Sequence, residues 1–338
     1  MKFLGIVAIV IGFPIYMVAW YLFRIGIVQD NSKAFFEKKS FKKVMEQIFA
    51  KMNNSSKKEE TTEEEQNKKE AHDFETEVKA GLAWLEKQDK ELVNITSYDG
   101  LKLAAYFIPA QDEASDKVML LMHGFRNVSL SDFATLYEFY HEQGFHILVP
   151  FERSHGLSEG KYICYGIKER FDVQKWTFYL TERFHGKCQI IMQGVSMGGA
   201  TVTMAAGLDL PEQVVGIIDD CGFTTPWAIF SHVITQNFHL PEFPFLYVSE
   251  KICEQRAGFG FREYSTITAM KRNQLPMLFI HGAEDDFVPT RMGKENYEAC
   301  IAKKELLIVE GAGHACSSMV APELYRKAIM KFAEECLR

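Results

Sequence analysis

From Leu92 to the C-terminus, short apolar runs rich in branched residues alternate with helical patterns. That rhythm confines the chain to an α/β fold: a mainly parallel sheet with helices on both faces. Leu92–Ser97 and Leu101–Ile108 flank the turn signal Tyr98-Asp99-Gly100 and predict an opening hairpin. Val118–Met122, His146–Val149, Gln189–Met192, Val214–Ile218, Met277–Ile280 and Glu305–Val309 read as buried strands. Helices are expected over Asp132–Gln143, Lys168–Phe184, Met197–Leu208, Arg291–Ala302 and Pro322–Leu337. Between residues 223 and 273 the rhythm breaks into an aromatic, proline-containing stretch, expected to be a helical cap over the ends of the strands.

One pentapeptide in this frame bears chemistry. Gly194-Val195-Ser196-Met197-Gly198 is a G-x-S-x-G match, which chance supplies in about one chain in ten of this size, so its setting decides. A strand runs into it and a helix runs out, the strand-turn-helix that a nucleophile elbow requires. A serine hydroxyl is a poor nucleophile until a base takes its proton, so a histidine and an orienting acid are required at later strand ends. Asp285 follows the strand Met277–Ile280, and His314 follows Glu305–Val309, in the order Ser, Asp, His. Asp286 competes for the acid role, because one residue of register decides which carboxylate reaches His314. The oxyanion hole is expected from the backbone amides of Met197 and of Phe125, the latter in the loop His123-Gly124-Phe125-Arg126.

Taken in order, Ser97-Tyr98-Asp99-Gly100, His123-Gly124-Phe125, Arg153-Ser154-His155-Gly156-Leu157-Ser158, the Ser196 pentapeptide with Gly199, His281-Gly282-x-x-Asp285-x-x-Val288-Pro289 and Gly311-Ala312-Gly313-His314 resemble the bacterial α/β-hydrolases grouped as dienelactone-hydrolase-like and serine-aminopeptidase-like. The resemblance runs from about Leu92 to Leu337. It implies the α/β-hydrolase fold and a Ser196–Asp285–His314 triad, with the H-G-x-x-D pattern selecting Asp285 over Asp286. Phe151-Glu152-Arg153 departs from the group, many of whose members carry Asp before the Arg.

The N-terminal third reads differently. Phe3 to Phe23 is an apolar run broken only by Gly and one Pro, the length needed to cross a bilayer, and it is expected to be a transmembrane helix. A cleaved signal peptide is the rival, disfavoured because the run is long and no small-x-small site follows it. Only Lys2 precedes the run, whereas Arg24, Lys33, Lys38, Lys39, Lys42 and Lys43 follow, which places the catalytic domain on the cytoplasmic side. Phe35, Phe36, Phe41, Val44, Ile48 and Phe49 also suit a basic amphipathic helix lying on anionic lipid. The stretch from Asn53 to Glu70 has no aliphatic or aromatic residue beyond its alkyl stems and reads as a tether or a solvated helix. Val78, Leu82 and Leu85 then share one helix face. The expected organisation is a membrane anchor over residues 1–24, a basic juxtamembrane segment and charged linker over 25–70, and a hydrolase domain over 71–338.

Composition narrows the function classes. A net charge of −7 with no extended basic face lacks the footprint of a nucleic-acid binder. The seven cysteines are odd in number and widely spaced with no C-x-x-C pair, so they read as free, buried thiols. No H-E-x-x-H, Walker loop or ligand-spaced cluster gives metal, nucleotide or other cofactor chemistry any sequence support. Of the ten histidines, His123, His155 and His281 are expected to hold turns by hydrogen bonds. The expected activity is cleavage of ester-type bonds in a small-molecule or lipid-like substrate with an apolar acyl or aryl group. Its alternatives are an aminopeptidase, which needs an acidic subsite, and a tethered binding protein on a hydrolase scaffold.

Overall fold

The computed structural model describes residues 2–29 and 63–337. Eight strands form one sheet: β1 (Glu91–Thr96), β2 (Lys102–Ile108), β3 (Lys117–Met122), β4 (His146–Pro150), β5 (Gln189–Val195), β6 (Val214–Asp220), β7 (Met277–Gly282) and β8 (Lys304–Val309). Their spatial order is β1-β2-β4-β3-β5-β6-β7-β8. The pairs β1–β2 and β2–β4 are antiparallel and all others are parallel, so β2 alone runs against its neighbours.

Both faces of the sheet are buried, and the side-chain period of two divides the strands between two cores. Met119, Leu121, Ile147, Ile191 and Ile218 point to one face. There they pack with α3 (Tyr137–Glu142) and α11 (Pro322–Cys336) through Tyr137, Tyr140, Tyr325 and Phe332. Val118, Leu120, Leu148, Ile190 and Ile217 point to the other face. They meet Val173, Trp176 and Leu180 of α4 (Glu169–Arg183) and Val202 and Ala205 of α5 (Met197–Ala205). Six of the seven cysteines are buried as small apolar residues, and Cys316 is half-buried. The helix expected over Asp132–Gln143 is shorter, a 3-10 turn at Ser131–Phe133 followed by α3, because its first residues are drawn into the loop beside the site.

The cap consists of α6 (Pro226–Gln236), α7 (Glu242–Ala257) and α8 (Thr266–Met270), and α9 (Thr290–Ala299) and the short α10 (Ser317–Val320) follow later strands. Ahead of the sheet, α2 (Glu63–Lys87) sets the buried Leu85 against the first core, as its apolar face predicts.

Among the described residues no helix is long and apolar enough to cross a membrane, so the transmembrane helix expected over residues 3–23 is not found. Instead α1 (Lys2–Gly26) lies against α7 of the cap. Ala19, Phe23 and Ile27, four residues apart, form a stripe that is buried among Phe223, Ile229, Leu246 and Phe261. An apolar run reads the same whether lipid or protein covers it, and here protein covers its last turns. Phe13, Tyr16, Met17 and Tyr21 of the same helix are exposed. The lysines at 33–43, the amphipathic pattern over 35–49 and the first part of the charged linker lie outside the described residues.

Candidate active site

Parallel strands end on the same edge of a sheet, so residues far apart in sequence converge there. Ser196 follows β5, Asp285 follows β7 and His314 follows β8. His314 Nε2 lies 2.8 Å from Ser196 Oγ, and His314 Nδ1 lies 2.7 Å from Asp285 Oδ2. All three residues are buried.

The elbow is sterically demanding. Ser196 sits at φ 56°, ψ −113°, a region that side-chain-bearing residues rarely occupy, which lifts its hydroxyl out of the sheet edge. Its amide donates to Asp220 O at 2.8 Å, and its carbonyl accepts from Ala200 at 3.0 Å to start α5. The turn closes only because its flanks are glycines: a Cβ on Gly194 would come within 2.1 Å of Gly198 O, and one on Gly198 within 2.0 Å of Met122 O.

Burial distinguishes the neighbouring carboxylates. Asp285 is buried, whereas Glu284 and Asp286 are exposed. Asp285 Oδ1 accepts the amides of Val288 (2.8 Å) and Phe287 (3.1 Å), which aims Oδ2 at His314. Burial alone raises this carboxyl, but the neighbouring His314 and the hydrogen bonds from His281 and His314 outweigh it and hold the group ionised, well below the usual carboxylate range. His281 Nε2 donates to Val288 O at 2.8 Å and lies 3.2 Å from Asp285 Oδ2. Burial depresses its imidazolium, yet Asp285 raises it overall.

The loop after β3 closes the other side of the site. Gly124 is in contact range of Ser196, since a Cβ there would lie 3.4 Å from the serine Cβ. The amide of Gly124 donates to Asp132 Oδ2 at 2.6 Å, and the Asn127 amide group donates to Asp132 Oδ1. His123 Nδ1 donates to Gly124 O (2.8 Å), while its Nε2 accepts from the amide of Glu152 (3.0 Å). His155 Nε2 accepts from the amide of Arg126 (3.0 Å), and its Nδ1 donates to Arg153 O (3.0 Å). Burial keeps both rings neutral, as these mixed donor and acceptor roles require. Phe125 and Met197, the expected oxyanion donors, thus belong to the two turns that flank Ser196. All three turn histidines hold backbone as their positions in the sequence suggest.

Three features of the site's surroundings were not assigned a role from the sequence. Asp132 reaches Gly124 only because the chain doubles back. Cys221, after β6, sits beside the pair: its Sγ, a carboxylate oxygen of Asp285 and a ring nitrogen of His314 all lie within 4.8 Å of one another. Burial pushes its thiol well up, so it stays protonated beside Asp285. At the departure from the resembled group, Glu152 is buried with both carboxyl oxygens unpartnered, and burial next to Glu169 and Asp172 pushes its titration well up.

Above Ser196 opens a cavity enclosing about 1170 Å³, the solvent at its mouth included. Its floor is Ser196 and Met197, its sides are Phe125, Tyr165 and Phe287, and its roof is cap residues such as Phe230, Val233 and Leu246. Tyr21 to Phe23 and Ile25 to Ile27 of the N-terminal segment complete it. None of the described residues lining it carries a charge.

Comparisons with known proteins agree with this geometry. A Bacillus subtilis (strain 168) protein, YqkD, itself uncharacterized, is 27% identical over 249 residues, covering 74% of this chain and 81% of its own length. An esterase of Pyrococcus furiosus superposes with a TM-score of 0.61 at 24% identity, covering 74% of this chain and 92% of that one. The acylaminoacyl peptidase of Pyrococcus horikoshii gives a TM-score of 0.56 at 16% identity, covering 75% of this chain and 43% of that one. These structures share the fold. Residues 152–338, more than half the chain, match the model of the prolyl oligopeptidase family, Peptidase_S9. The chain is therefore a serine hydrolase of the α/β-hydrolase superfamily and belongs to the prolyl oligopeptidase family.

Proposed function

We propose that the protein hydrolyses carboxylic esters or thioesters that carry an apolar acyl or aryl group. One observation carries this reading: the cavity that opens on the Ser196 hydroxyl is lined by aromatic and aliphatic side chains without a charged group among its described residues. An aminopeptidase needs an acidic subsite for the substrate ammonium, and that lining offers none. Cleavage of an amide with a blocked, apolar terminus is the second reading, favoured by membership of the prolyl oligopeptidase family.

The reaction runs in two acyl transfers. Ser196 Oγ attacks the carbonyl carbon while its proton passes to His314 Nε2. The resulting oxyanion lies against the amides of Met197 and Phe125, and Asp285 stabilises the imidazolium through Nδ1. As the tetrahedral species collapses, the C–O bond to the alcohol, or the C–S bond to the thiol of a thioester, breaks and His314 gives its proton to the leaving group. Water then attacks the acyl-serine and gives a proton to His314, which passes it to Ser196 Oγ as the acyl C–Oγ bond breaks and the acid leaves.

A membrane setting belongs to the same proposal. It is supported by the apolar sequence from Phe3 to Phe23 and by the exposed Phe13, Tyr16, Met17 and Tyr21, and it makes lipid-derived esters natural substrates.

The test is hydrolysis of p-nitrophenyl esters of graded acyl length by the full chain in detergent, compared with Ser196→Ala. Turnover that disappears in the variant is expected. Absence of both turnover and fluorophosphonate labelling at Ser196 would leave the binding-protein alternative.

A further inference from the structure

The N-terminal helix precedes the hydrolase fold in sequence, yet its last turns close the cavity over Ser196. They are held there by specific bonds as well as by packing. The carbonyls that end a helix lack intrahelical donors, and here the domain supplies them. Arg126 Nη2 donates to Ile25 O and Val28 O, each at 3.0 Å, and Tyr165 Oη donates to Gly26 O at 2.9 Å. Just beyond the helix the chain adds a β-bridge, Val28 with Tyr162, with Ile163 N donating to Ile27 O at 2.8 Å. Further back, Ser249 Oγ of the cap donates to Ala19 O at 3.1 Å. Arg126 directly follows Phe125, so the loop offering the oxyanion amide also caps this helix.

The order of contacts gives the wall a direction. Gly26 is its inner end: its carbonyl meets Tyr165, whose ring stacks on Phe125 at 5.4 Å, and Phe125 adjoins Gly124 beside Ser196. Tyr21, half exposed, is its outer end. The rise between them is roughly 7–8 Å at 1.5 Å per residue, the reach of a medium-length alkyl chain. Glycine at the inner end leaves room, since a Cβ there would find only Phe230 Cε1 at 3.8 Å and Tyr165 Oη at 3.9 Å.

We propose that the last turns of α1 are the outer wall of the acyl pocket and set its chain-length specificity, so that the substrate is an ester whose apolar chain lies along α1 from Gly26 toward Tyr21. The inference rests on the ester reading above for its substrate class. Its geometry is testable without that reading.

The full chain in nonionic detergent is compared with Gly26→Leu, which fills the inner end, and Leu22→Ala, which widens the wall. Gly12→Leu, on the same helix with nothing within 4 Å of its Cβ, controls for altering the helix itself. Two ratios are read: kcat/KM for p-nitrophenyl decanoate over acetate, and the rate of Ser196 labelling by a long-chain over a short-chain alkyl fluorophosphonate. Gly26→Leu should lower both ratios about tenfold, the effect of withdrawing roughly two methylenes from burial. Leu22→Ala should raise them, and Gly12→Leu should leave them within about a factor of two. Ratios equal to wild type in both Gly26→Leu and Leu22→Ala would overturn the wall. A wild-type chain that is labelled but cleaves no ester would overturn the ester reading alone, and the labelling ratios would still decide the wall.

Discussion

The carboxylate of Asp132 accepts the backbone amide of Gly124 at 2.6 Å, and so fixes the turn that carries Phe125 beside Ser196's neighbour Gly124. Asp132 touches no substrate; it positions. Losing one oxyanion donor outright costs about 10² to 10³ in rate, so loosening its loop should cost less. We expect Asp132→Ala to lower kcat by about tenfold to a hundredfold with a smaller change in KM. Asp132→Asn, which keeps one carbonyl acceptor for Gly124, should recover part of the loss. Equal kcat in wild type and Asp132→Ala would show that the loop holds its shape without this bond.

The acid of the triad can be tested by exchanging neighbours. Asp285→Asn leaves the shape of the site but presents a donor to the wrong side of His314, a change worth about 10⁴ in kcat where such triads are altered. Asp286 is exposed, and His232 Nε2 meets its backbone carbonyl at 2.7 Å, so Asp286→Asn should stay within about threefold of wild type. Steady-state kinetics on the same ester check both, and the reverse ranking would reassign the acid.

The elbow makes a stability prediction. A methyl on Gly198 would stand 2.0 Å from the Met122 carbonyl, which belongs to backbone at the end of β3 and cannot swing aside as a side chain does. Gly198→Ala should therefore destabilise the fold by about 3 kcal/mol or more. Urea denaturation followed by circular dichroism measures this, and a loss under about 1 kcal/mol would mean that the sheet edge yields.

A buried carboxyl beneath the site gives a pH signature. Asp220 accepts a hydrogen bond from Tyr325 at 2.7 Å, but burial dominates and pushes its titration up to about 6. The folded chain thus holds this proton more tightly than the unfolded chain does. Its contribution to stability is fully present below the unfolded value near 4, declines as pH rises, and is gone above about 6. The Asp220→Asn variant removes that dependence. The stability difference, wild type minus variant, should fall by up to about 3 kcal/mol between pH 4 and pH 7. A difference that is flat across this range would show that Asp220 ionises normally.

Much of the molecule was legible residue by residue. The inner strands β3 to β7 were readable because burial on both faces demands continuous branched apolar runs, and β1 and β2 because a turn signal joins them; β5, β6 and β7 simply extend further, to the residues that carry Ser196, Cys221 and the Asp285 turn. Ser196 and His314 were readable because an elbow and a base at a strand end need small neighbours and a fixed order. Asp285 was separable from Asp286 only through a resembled pattern, since burial is what distinguishes them and burial is not written in one sequence. Asp132 and Arg126 were invisible, because each acts on backbone that its own neighbours in sequence do not identify.

The sequence by itself determined the sheet, the order of the triad and the apolar character of the N-terminal helix, because these follow from periodicity and local chemistry. Only the tertiary structure decided what that helix faces. Apolar surface is driven out of water by whichever apolar partner is present, so Phe23 and Ile27 carry no label for lipid or protein. The folded cap provides the partner, Arg126 and Tyr165 satisfy the helix's last carbonyls, and a segment written as an anchor becomes a wall of the site.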